Sequence, residues 1–225
     1  MKSILLALAM AGAFAAASSG SPAQSPAVQD GVFTADFTNP SVSPSHWVLT
    51  LRRNGSGHFH AEGIKDDAPK KTGIDVSDGD RDVQLSKEFT ANVFSVAEQH
   101  NWFNENCQSR AKVAFQGWKK ISYSGPEGQG SCTFNYSQIK QIQTLSESLI
   151  GVAETMHEGA RLELLLQHDR LGLDREMEYI SESAKDGRLR EIVAIRDILQ
   201  RLAQDDELLD RVRKRARNLL TQAGS

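Results

Sequence analysis

His58 and His60 alternate along a stretch that reads as a β-strand, so both imidazoles leave the same face, and His46 stands at the start of the partner strand. Imidazoles gathered on one face are the beginning of a transition-metal site, which makes His46, His58 and His60 the metal candidates. The hairpin weighs against them. Its register sets His46 several pairs away from His58, and no carboxylate is evident as a supporting partner. A His-x-His pair is also short enough to arise by chance, so polar strand residues facing solvent are the preferred reading.

Other chemistries fail on residue type or context. The acids Asp75, Asp78, Asp80 and Asp82 suggest calcium. An EF-hand loop opening at Asp78, however, needs Gly and Glu where Val83 and Phe89 stand. His157-Glu158 lacks the second histidine of a zinc-protease helix, and together with His168-Asp169 it is expected on a helix surface. Gly55-Ser56-Gly57 falls in a hairpin turn, not at a nucleophile elbow. Gly128-Gln129-Gly130 leads into a strand and misses the third glycine of a dinucleotide fingerprint, so no cofactor is expected.

Cys107 and Cys132 are the only cysteines and are too far apart for a redox C-x-x-C pair. Residues 1–23 combine Lys2, the apolar run from Ile4 to Phe14 and small residues around Ala17 and Ala23. That pattern reads as a cleavable export signal, followed by a flexible linker over 24–30. The expected location is therefore the periplasm or the extracellular medium, where the two cysteines are expected to pair. Closing that loop is worth about 3 kcal/mol in the loop-entropy account.

Lys and Arg number 26 against 29 Asp and Glu, for a net charge of −3. That balance supplies no basic footprint for nucleic acid, and the apolar run at the N-terminus is too short to span a bilayer. Two regions differ in character. Residues 31–136 are rich in Gly, aromatics and alternating runs; residues 137–225 carry no proline, more charge and apolar residues at helical spacing.

In the first region, residues 47–52 and 58–61 form a hairpin, and a three-residue turn-plus-bulge loop puts Phe59 and Ala61 on the face of Leu49 and Leu51. Residues 64–82 are expected as a polar loop. A helix capped by Ser86 should run to His100-Asn101 with Phe89, Val93, Val96 and Ala97 on one face. Strands are expected at 112–115, 119–123 and 132–136, the last two joined by a Gly-rich turn.

In the second region, Ile142, Leu145, Leu149, Val152 and Met156 step by threes and fours, as in a helix–helix seam. Gly159 and Glu163 interrupt the seam and predict a kink or restart. A new N-cap is expected at Asp174, an end at Asp186-Gly187, a third helix over Leu189–Leu202, and a fourth opening at Asp205 and ending basic through Arg217. The fold class expected is α+β: a disulfide-linked hairpin-and-helix domain followed by about four helices.

No catalytic constellation survives this reading. The leading expectation is an exported, non-enzymatic binding or interaction module, meeting another envelope or secreted protein through its helical region. The alternatives are an exported metal-dependent enzyme using His46, His58 and His60 with an acid from residues 75–82, and a carrier of an apolar ligand.

Overall fold

The computed structural model describes residues 30–63 and 78–224. The expected export signal, the expected linker up to residue 29 and most of the expected polar loop, Asp75 included, lie outside the described residues.

Period-two patterning builds the sheet. Phe33, Ala35 and Phe37 of β1 (Val32–Thr38) are buried, as are Trp47, Leu49 and Leu51 of β2 (His46–Arg52) and Phe59 and Ala61 of β3 (Ser56–Glu62). β4 (Gly79–Gln84) buries Val83, β5 (Trp118–Gly125) buries Ile121 and Tyr123, and β6 (Gly128–Phe134) buries Cys132 and Phe134. The six strands pair antiparallel in the order β4-β3-β2-β1-β5-β6. The hairpin has the expected register: Leu49 faces Phe59, Trp47 faces Ala61, and Gly55 takes a φ of 83° in the turn. A positive φ at the end of a short loop is the place for glycine.

Five helices complete the α+β fold: α1 (Lys87–Gln99), α2 (Lys140–His168), α3 (Leu173–Lys185), α4 (Arg196–Gln204) and α5 (Asp210–Ala223). Ser86 caps α1, its Oγ accepting from Phe89 N at 3.1 Å, and α1 ends at His100. The α2 seam is buried from Ile142 to Met156 and belongs to one cluster that includes the inner face of the sheet. The seam therefore packs within the chain.

Several expectations need correcting. β1 was not singled out, and β4 falls where a loop was expected, because an edge strand reading Gly-Asp-Arg-Asp-Val-Gln shows almost no apolar alternation. Residues 112–115 form no strand and lie exposed. Helix α2 runs unbroken through Gly159 and Glu163. At Gly159 the missing side chain admits Ile195, whose Cγ2 would lie 2.3 Å from a Cβ there. Glu163 accepts from Arg81 Nη1 of β4 at 2.9 Å.

Helix α3 begins at Leu173, with Gly172 and not Asp174 at its N-cap. The third helical stretch is a 3-10 turn over Ile192–Ile195 leading into α4, with Leu189 before it. Helix α5 starts at Asp210, so Arg211, Arg213 and Arg215 lie in its first half and not at its basic end. Arg211 Nε and Arg215 Nη1 each donate to Asp174 Oδ1 at 2.7 Å, fastening α5 to α3.

The Cys107–Cys132 disulfide is formed, with the Cα atoms 5.8 Å apart, and joins the segment after α1 to β6. Among the described residues no helix is long and apolar enough to cross a membrane.

Candidate functional site

The expected metal residues meet on the outer face of the sheet. Register places Val48 opposite both Asp36 and His60, His46 opposite Glu62, and Asp80 and Asp82 opposite His60 and His58. The result is a ladder of alternating imidazoles and carboxylates. His46 Nε2 lies 3.1 Å from Asp36 Oδ1, and His46 Nδ1 lies 2.5 Å from Glu62 Oε1. Glu62 Oε2 is 3.8 Å from His60 Nε2, and His60 Nδ1 is 2.9 Å from Asp80 Oδ1. The same Asp80 oxygen is 2.9 Å from His58 Nε2, and His58 Nδ1 reaches Asp82 Oδ1 at 3.3 Å.

Four carboxylates thus stand beside the histidines, where the sequence offered only an acid from residues 75–82. Asp36 arrives from β1 and Asp80 and Asp82 from β4, so their placement depends on pairings that local patterning does not show. The protonation balance follows the contacts. Hydrogen bonds to Asp80 and then Asp82 raise the pKa of His58, and those from His58 and His60 lower that of Asp80. At His46 burial opposes the charge, but bonds to Glu62 and Asp36 outweigh it and the pKa is raised. As described, the ladder is hydrogen-bonded. Among the described residues no three His, Cys, Asp or Glu side chains close around one ion position. Beside it, a groove of about 750 Å³ runs from Thr50, Arg52 and His58 past β4 to Val193, Arg196 and Asp197.

A second feature had no signal in the sequence beyond a misassigned strand. The stretch after α1 enters through Asn101, Trp102 and Phe103, all at positive φ, and Trp102 stacks on Tyr123 with ring centroids 4.2 Å apart. From there the chain is irregular yet tied down. Beyond the disulfide, Ser109 N donates to Tyr136 O at 2.9 Å, and Asn135 N donates to Gln108 Oε1 at 2.7 Å. The Asn135 side chain accepts from Gln116 N at 2.6 Å and donates to Ala114 O at 3.1 Å. This frame holds Val113, Phe115 and Trp118 in solvent, 38%, 52% and 50% exposed, with the last two rings edge to face. Arg110 and Lys112 are exposed beside them, and no Asp or Glu occurs from Asn106 to Pro126.

The third cluster corrects the expected helix-surface placement of His157 and Glu158. Both are half-buried on α2, beside the ion pair in which Arg161 Nε donates to Glu176 Oε2 of α3 at 2.8 Å. Burial, then a hydrogen bond and the charge of Glu176, push the Glu158 pKa up to about 9. Burial, reinforced by Arg161, pushes that of His157 down. Glu158 Oε2 has no hydrogen-bond partner among the described residues. His168, by contrast, is exposed as expected, and Asp169 Oδ1 accepts from Gly172 N at 3.0 Å in the turn to α3.

Against known proteins, the chain matches no family model and no curated sequence.

Proposed function

We propose that this chain is an exported, non-enzymatic binding module. Its recognition surface is the pinned segment from Arg110 to Trp118, and its partner is a secreted or envelope protein offering an apolar pocket rimmed by carboxylates. The observation that carries this reading is the fixed presentation of Val113, Phe115 and Trp118 to water. Neighbouring apolar side chains on a free loop would collapse onto the surface; here the disulfide and Asn135 hold the backbone away from that outcome. A preformed loop loses little conformational entropy on binding, and aromatic anchors flanked by bases are the residue types that dominate interface energies. The absence of acids from Asn106 to Pro126 favours an acidic counterpart.

The partner surface is thus moved from the helical region, whose seam is buried in the chain's own core. Export rests on the reading of residues 1–23, and the disulfide supports it. The carrier alternative finds little room where the sheet meets α2: the space among Phe37, Trp47, Ile121 and Leu149 is about 10 Å³.

The test compares affinity capture from the native envelope fraction by the wild-type chain and by a Phe115→Ser, Trp118→Ser variant. A partner that the wild type retains, and that the variant loses while keeping its circular dichroism and melting curve, is the expected result. Equal retention by both overturns the assignment.

A further inference from the structure

We infer that a second copy of this chain is a partner of the aromatic segment: the Phe115–Trp118 ring pair of one molecule docks into a pocket of the next, between β4, α2 and α4. The inference rests on the reading of the Arg110–Trp118 segment as a recognition surface, and supplies its counterpart. That pocket has a volume of about 240 Å³. Met156 and Ala160 of α2, Ile195 of the 3-10 turn and Ile198 of α4 form its apolar floor. Its rim is acidic. Asp82 of β4, Glu163 of α2 and Asp197 of α4 stand around the floor with one cation among them, Arg81, whose Nη1 donates to Glu163 at 2.9 Å. The Asp82 and Asp197 side chains are exposed.

The segment complements this pocket in size, apolarity and charge. Water occupies about 30 Å³ per molecule, so the pocket holds about eight, comparable to the bulk of one aromatic side chain. One ring of the edge-to-face pair fills it and the other lies over the lip, releasing that water from an apolar floor. Arg110 and Lys112, exposed beside the rings, meet the carboxylates of the rim. A chain does not reach its own pocket. Trp118 opens β5, and β5 lies four strands from β4 in the sheet. At about 4.8 Å per strand that is roughly 19 Å, beyond the reach of a segment pinned by Asn135 and the disulfide. The contact therefore runs between copies. Because segment and pocket are different surfaces, a pair of molecules leaves one of each unused, and the contact propagates head to tail into a ring or an open string.

Sedimentation velocity of the purified full-length chain, from micromolar to millimolar concentration, tests it. The wild type is expected to pass from monomer to dimer and longer species. The Phe115→Ser, Trp118→Ser variant and, separately, an Asp82→Lys, Asp197→Lys rim variant should keep the wild-type circular dichroism and associate at least about tenfold more weakly. Mixing the two variants restores a single intact contact, so the mixture should form dimers and nothing larger. A wild type that stays monomeric throughout, undiminished association of the rim variant, or a mixture that stays monomeric each overturns the inference. A monomeric wild type that still retains an envelope protein through Phe115 and Trp118 overturns the self-docking alone and leaves the recognition surface standing.

Discussion

The ladder on the outer sheet face and the cluster between α2 and α3 use the same side chains to opposite ends. On the sheet, His58 and Asp80 remain wet, and pairing favours both charges: the imidazole pKa is raised and the carboxylate pKa lowered. Between the helices desolvation wins. His157 is pushed toward its neutral form, and Glu158 is held protonated up to about pH 9. Beside them the Arg161–Glu176 ion pair is itself largely withdrawn from solvent. Acid–base residues that look alike in sequence therefore divide into a wet, hydrogen-bonded surface ladder and an interior cluster beside two packed helices.

The largest expected effect comes from removing the cation that pairs with Glu176 in the interior cluster. Arg161→Met leaves Glu176 beside Glu158 without its partner, and should lower the unfolding free energy in urea by about 3 kcal/mol. An unchanged denaturation midpoint would mean that the cluster is solvated.

A smaller effect, of opposite sign, is expected at Glu158. Its folded pKa of about 9 stands above the ordinary 4.5, so the folded chain binds more protons between those values and stability falls as pH rises through that window. Glu158→Gln mimics the protonated form. It should therefore stabilise the chain by about 1–2 kcal/mol at alkaline pH and by almost nothing below the ordinary value, as pH-dependent melting would show.

The smallest effect on stability belongs to the ladder. His58 contributes below its ordinary 6.5 and loses that contribution as pH rises through its raised value; Asp80 contributes above 3.8 and loses it as pH falls through its lowered value. Both contributions are present only between those limits. Asp80→Asn should leave the melting temperature in place while moving the His58 titration, followed by imidazole proton resonances, back toward 6.5. A His58 titration that stays raised would show that Asp80 does not hold the ring.

Local chemistry made much of the fold legible. An odd-length loop ending in Gly55 set the β2–β3 register, Ser86 marked the start of α1, and two cysteines in a chain read as exported implied their bond. What escaped was non-local. The seam in α2 reads as broken at Gly159 until Ile195 is seen filling the gap, and at Glu163 until Arg81 is found beside it. The histidines were visible as candidates and an acid from residues 75–82 as a partner, but Asp36 was not, because it reaches His46 only through pairing with β1. The exposed aromatic segment looked like a strand, since Lys-Val-Ala-Phe alternates well enough. Only the hydrogen bonds of Asn135 show that its backbone is committed elsewhere.

The binding role is tested most directly by placing a photo-activatable cross-linking residue at Phe115, with a second at exposed Lys214 of α5 as the control, and irradiating the protein in its native envelope. A discrete cross-linked species from position 115 and none from position 214 is the predicted result. No cross-link at 115, or the same species from both positions, would contradict the assignment of this segment as the recognition surface.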